Sequence, residues 1–186
     1  MNFTLDEAFV AVDENDAKKL ALILKECPKF LNQYGEKGPW TGFTLLIYSI
    51  LKYHYECSKT LIEHGANVNK KAKVGGKQAC LILQIGYWVD LEIFEMTLKA
   101  GAKVNSPNRF SKFPLGQAVE FASVDKSEAN QDKASKMVKL LLQFGADPDY
   151  SPGRERSARK YLEDISNFDP GCVPNWLLKL IPVGKM

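Results

Sequence analysis

The sequence predicts an all-α solenoid, a stack of helix-turn-helix units with projecting β-turns, and three observations carry that expectation. A short phrase recurs, as "TLIEHGANVN" over residues 60–69, "TLKAGAKVN" from Thr97 and "LLQFGADPD" from Leu141. An apolar stretch at helical spacing runs into each of Gly65, Gly101 and Gly145, where glycine supplies the left-handed conformation that closes a helix. Counting back 21 residues from Gly65 and Gly101 reaches Thr44 and Cys80, and the two segments opened there align without a gap. Self-similarity of this kind marks one unit stacked on copies of itself.

The elements follow in order. In "LDEAFVAVDENDAKKLALILKECPKFLN", Leu20, Ile23 and Leu24 give one helical face to bury, and "CPKFLN" replaces the glycine turn. The Thr44 segment has an apolar first helix around Leu46, Ser49 and Ile50 and a second around Cys57, Leu61 and Ile62. The Cys80 segment repeats this with Ile82, Ile85 and Gly86, then Ile93, Phe94 and Leu98. The "NVN", "KVN" and "DPD" after each glycine are turn chemistry, because Asn and Asp tolerate positive φ and bond their own backbone.

Eight residues separate Asn105 from Phe113, and Asp149 from Ser157. Eleven separate Asn69 from Cys80, so "KKAKVGGKQA" holds three extra residues, and "VGG" reads as a widened β-turn. The unit opening at Phe113 reaches Gly145 after 32 residues, which places eleven additional residues near "ASVDKSEANQDK" over 122–133, as a loop or as extended helix ends. "SARKYLEDI" starts a last, degenerate unit. "FDPGCVPNWLLKL" then turns at Asp169 to Gly171 and begins a short helix with Pro174 in its first turn and Trp176 as a cap over the core.

The phrases "TLLIYS", "CLILQI" and "FPLGQA" at the unit starts, with "TLIEHGANVN", "MTLKAGAKVN" and "LLLQFGADPD" at the ends, resemble the ankyrin repeat. That family's unit is about 33 residues, with "TPLHxA" opening the first helix and "LLxxGAxxN" closing the second. The resemblance covers nearly the whole chain and implies a single domain, 1–186. Its repeats fall at approximately 3–38, 39–73, 74–107, 108–151 and 152–186, about five including degenerate caps. Ile47, Leu83 and Gly116 stand where the family has His, so the hydrogen bonds of that His are lost and less regular turns are expected.

Composition narrows the function. With 45% hydrophobic and 25% charged residues the chain has the balance of a globular protein, and a net charge of +3 is small for a nucleic-acid binder. The charge is unevenly spread: residues 1–36 carry four Lys against seven acids, so the rest is basic and favours an acidic partner. No apolar run is long enough to span a bilayer, and "MNFTLDEAF" lacks the layout of a signal peptide, so a cytoplasmic location is expected without membrane association. Cys27, Cys57, Cys80 and Cys172 have no metal-ligand spacing and read as reduced, mostly buried hydrophobes.

No catalytic set is legible. The two histidines, His54 and His64, fall at opposite ends of one repeat, where the family pattern implies solvent-facing positions, and no phosphate loop, nucleophile elbow or HExxH occurs. No enzyme activity, cofactor or metal is expected. The resemblance instead implies a monomer that binds a protein through the concave face made by the first helices and projecting turns. Carried over position by position, its variable contact sites include Trp40, Phe43, Leu51 and Lys52, then Lys77, Tyr87 and Trp88. Further along they include Arg109, Phe110, Lys112, Glu120 and Phe121, and finally Arg154 and Arg156. Aromatic residues and Arg dominate many interface energies, so this set is the expected site. Analogy with small single-domain relatives favours a cytoplasmic inhibitor or immunity-type protein. The alternative is a secreted effector or adaptor that captures a host signalling protein.

Overall fold

The computed structural model describes residues 3–74, 77–79, 90–106, 113–151, 153 and 156–183. Among them lie nine α-helices, short 3-10 turns and one two-stranded hairpin, so the fold is the expected all-α repeat architecture. The chain divides into two compact units, with the boundary between Ala102 and Lys103.

The first unit begins with α1 (Leu5–Asp13) and α2 (Ala17–Glu26). Thr4 and Glu7 close a capping box on α1, and Asp16 caps α2 by accepting from Lys19 N at 2.9 Å. After 3-10 turns at Pro28–Asn32 and Gly38–Trp40 come α3 (Leu45–Leu51) and α4 (Tyr55–Glu63). The hairpin of β1 (Ala72–Val74) and β2 (Lys77–Ala79) follows, its antiparallel register pairing Ala72 with Ala79 and Val74 with Lys77. Of the widened turn expected at "VGG", Val74 ends β1, and Gly75 and Gly76 lie outside the described residues. The expected first helix of the third repeat, with Cys80, Ile82, Ile85 and Gly86, also lies outside them; its second helix is α5 (Leu91–Lys99).

First helices pack on first helices, α1 against α3, and second helices form a parallel row of α2, α4 and α5. The buried face predicted for α2 is present, with Leu20, Ile23 and Leu24 all removed from solvent. Ile47, in the place of the family's His, is buried as well, so this repeat opens on an apolar contact. Inside the second repeat a buried hydroxyl pair, Ser49 to Ser58 at 2.9 Å, ties α3 to α4. Burial pushes the Cys57 thiol up to about 11, which keeps it protonated and inert at neutral pH.

The second unit contains α6 (Pro114–Val124), α7 (Glu128–Gln143), α8 (Ala158–Phe168) and α9 (Asn175–Leu180). The insertion between its first two helices is built as helix. α6 has 11 residues against 7 in α3, and α7 has 16 against 9 in α4, an excess equal to the eleven inserted residues. Gln131, inside the insertion, donates to Ala122 O at 2.7 Å and accepts from Trp176 Nε1 at 3.1 Å. The expected cap at Trp176 therefore rests on the inserted turns, and the half-buried indole packs α9 against α7.

The recurring phrase has one geometry in three places. Gly65, Gly101 and Gly145 have φ of +83°, +86° and +85°. In each case the glycine N–H and the following alanine N–H return to carbonyls of the helix just ended, as in Gly65 to Ile62 O and Ala66 to Leu61 O, both 2.9 Å. The Asn residues also connect neighbouring repeats. Asn69 Nδ2 donates to Gly101 O at 2.9 Å in the first unit. In the second, Asn105 Nδ2 donates to Gly145 O at 3.3 Å while its Oδ1 accepts from Asp147 N at 3.1 Å.

Candidate partner-binding surface

Residues 33–44 form the turn that projects between the first and second repeats. Its backbone is held by Gly35 N to Phe43 O at 2.9 Å, Gly42 N to Gly35 O at 2.8 Å and an isolated bridge between Tyr34 and Thr44. Lys37 pairs with Asp6 at 2.8 Å, which fastens the turn to α1. The next turn lies alongside it, with Lys73 N donating to Gly42 O at 2.8 Å. Two predicted contact residues, Trp40 and Phe43, belong to the first of these turns.

Trp40 is half-buried. Its indole stacks on Phe9 with centroids 5.4 Å apart and planes at 11°, and it meets Tyr48 edge-on at 6.2 Å. Phe43 is also half-buried and lies 6.4 Å from the Tyr48 ring. The buried Phe9 from α1 and Tyr48 from α3 thus anchor the two projecting aromatics, and such ring pairs contribute about 0.5–1.5 kcal/mol each beyond area burial. The Trp40 Nε1 hydrogen is enclosed without an acceptor.

Lys52 reaches across to Asp13, Nζ to Oδ1 at 2.9 Å, and the same carboxylate accepts from the Tyr48 hydroxyl at 2.7 Å. The hydrogen bonds from Lys52 and then Tyr48 hold the Asp13 carboxyl below the usual carboxylate range, and the Asp13 contact raises Lys52. Burial, then Asp13, raises the Tyr48 phenol. Four residues from α1, the turn and α3 therefore make one aromatic and ionic patch: Asp13, Trp40, Tyr48 and Lys52. Leu51 at the end of α3 is exposed beside this set in sequence, and Tyr53 next to it holds φ of +59° with its side chain 54% exposed.

Of the remaining predicted residues, Lys77 lies in β2, but its side chain is outside the described set. Tyr87, Trp88, Arg109, Phe110, Lys112 and Arg154 are outside the described residues altogether. In the second unit, Glu120 is half-buried on α6, and Arg156 pairs with Asp164 at 3.1 Å. Phe121 is buried, so it belongs to the core of its unit rather than to a contact surface.

Sequence reasoning missed the partners of these residues. Phe9 and Tyr48 carry no local signal, because an aromatic at a buried helical position looks like any other core residue. It also missed a cluster around Tyr34, whose ring has the Lys70 and Lys73 ammonium groups at 4.5 and 4.2 Å from its centroid. Residues far apart in sequence meet there only because two turns stack.

Nothing among the described residues assembles a catalytic set. His54, expected on the solvent side, is half-buried, with Nδ1 2.7 Å from Val12 O; His64 Nδ1 lies 2.7 Å from Thr60 O. Both rings thereby spend their Nδ1 hydrogen on a backbone carbonyl. No group of three His, Cys, Asp or Glu among the described residues could hold a metal ion, and no described helix is long and apolar enough to cross a membrane. An open cleft between α4 and α5 is lined by Ile62 and Met96 with Lys59, Glu63, Glu92 and Lys99, a mixed surface without a nucleophile and base.

The comparison with known families falls on the segment that holds α3 and α4. Residues 41–73 fit the family model described as Ankyrin repeat. This segment is an ankyrin repeat. The matched stretch contains α3, α4, the Gly65 turn, the first two residues of β1 and Lys52, and Trp40 lies immediately before it. Ankyrin repeats are in general protein–protein interaction modules.

Proposed function

We propose that this protein binds one protein partner through its first helices and projecting turns and acts by occupying that partner's surface, as an inhibitor or immunity-type protein in the cytoplasm. The observation that carries the reading is the patch at the matched repeat, where Trp40 and Phe43 stand half-exposed on an aromatic base beside the Asp13–Lys52 pair. Held aromatic rings lose little freedom on binding, which is why such residues dominate interface energies. By the family's positional pattern, Lys77, Tyr87 and Trp88 are further proposed contacts of the first unit, and Arg109, Phe110, Lys112, Glu120, Arg154 and Arg156 are proposed contacts of the second. The reading gives the chain no enzymatic step of its own.

The test is co-purification of a partner followed by calorimetry with the Trp40→Ala, Trp88→Ala and Arg109→Ala variants. Loss of about tenfold or more in affinity at two of the three, with the helical signal intact, is the expected result. A partner that binds all three as tightly as the wild type would show that this face is not the contact. Inhibition of an activity of the captured partner separates the inhibitor reading from an adaptor that leaves its partner active.

A further inference from the structure

Where the two projecting turns stack, one aromatic ring is drawn into a group of ammonium charges. Tyr34 is half-buried, and its hydroxyl donates to Lys71 O at 2.9 Å, which fixes the ring. Lys70 Nζ lies 4.5 Å and Lys73 Nζ 4.2 Å from the ring centroid, and Lys70 Nζ also donates to Asn32 O at 2.5 Å. Both charges sit within 4.5 Å of one point, so they are closer together than about 10 Å, the screening length at 0.1 M salt, and they repel.

Two other lysines at this end of the unit are paired, Lys37 with Asp6 and Lys52 with Asp13. Lys70, Lys71 and Lys73 make no ion pair among the described residues. The ring face attracts the two ammonium groups but leaves their charge in place. Positive charge is therefore concentrated at one turn, and no carboxylate among the described residues pairs with it.

We propose that Tyr34, Lys70 and Lys73 form a docking site for an acidic segment of a protein partner, a stretch with two or more Asp or Glu side chains. The proposal rests on the protein-binding reading but not on the residues assigned to that surface. A carboxylate beside these ammonium groups offsets the positive charge and so relieves their repulsion. The hydrogen bonds of Tyr34 and Lys70 hold the site before binding, which lowers the ordering cost. A nucleic-acid backbone calls for a row of such contacts, and a chain with net charge +3 is poorly suited to supply it, so an acidic protein segment is the favoured occupant.

The experiment is fluorescence anisotropy on the full chain with a labelled peptide of alternating Asp and Glu, at low and at physiological salt. Lys73→Glu should weaken binding about tenfold and Lys73→Gln about threefold, with thermal midpoints unchanged, whereas the charge-matched control Lys139→Glu on α7 should change it less than about twofold. Equal weakening by Lys73→Glu and Lys139→Glu would reduce the effect to net charge and overturn the proposal. So would tighter binding of a single-stranded oligonucleotide of equal charge, or full peptide affinity in Lys73→Gln. Should Lys73→Glu fail to fold, Lys73→Gln decides. Trp88→Ala and Arg109→Ala should leave peptide affinity unaltered; if they abolish it while Lys73→Gln does not, the acidic site lies on the proposed contact face and only the present inference fails.

Discussion

At residue scale, Gly42 is the most constrained position in the first unit. Its φ is +79°, and a Cβ there would lie 2.2 Å from Lys73 O, the backbone of the next turn. Replacement by alanine combines a left-handed penalty with a backbone clash, so Gly42→Ala should lower stability by about 2–4 kcal/mol, read as a shift in the urea midpoint. Asp13 makes a second prediction. Its carboxyl is depressed in the folded state, so its stabilising contribution is complete above the unfolded value, about 3.9, and fades as pH falls through the lower folded value. Asp13→Asn should therefore shallow the acid limb of a stability-against-pH curve below about pH 4 and leave its slope near neutrality alone. An acid limb identical to wild type would show that Lys52 and Tyr48 contribute nothing through Asp13.

At the scale of elements, the Asn residues after the glycine turns do two jobs. Asn69 and Asn105 were legible as turn formers, yet their amides also bridge to the carbonyls of Gly101 and Gly145. Asn105→Ala should cost about 1–3 kcal/mol, because it leaves both Gly145 O and the Asp147 N–H without this partner, and amide exchange near 145–147 should accelerate. The insertion is a second lesson. Its polar composition allowed either a loop or longer helices, and Gln131 decided the matter by closing α6 onto α7 and receiving the Trp176 indole. Gln131→Ala should lower stability by about 1–2 kcal/mol and shift the fluorescence of the Trp176 indole; unaltered emission would dissociate the insertion from the cap.

At the scale of the whole molecule, charge is the property most tied to binding. The first 36 residues are net acidic and the remainder net basic, and the cluster at Tyr34 brings the ammonium groups of Lys70 and Lys73, from the basic part, onto a residue of the acidic part. Affinity for an acidic partner should fall as salt rises from about 50 to 200 mM, mainly through the association rate, which stopped-flow measurements resolve. Salt-insensitive association would remove electrostatics from the account.

The sequence by itself determined the repeat, because helix closure at Gly65, Gly101 and Gly145 and the turn chemistry after them are local events fixed by a few adjacent residues. It also determined the buried stripe of α2, a matter of helical spacing. Only the tertiary structure decided what each projecting side chain faces. Trp40 meets Phe9, Lys52 meets Asp13 and Tyr34 meets Lys70 and Lys73 across 31 to 39 residues of chain, through the stacking of one repeat on the next. Periodicity records that repeats stack, since every unit must bury the same face. It does not record which irregular residues come to lie together, because those positions are free of the packing constraint that makes the repeat visible.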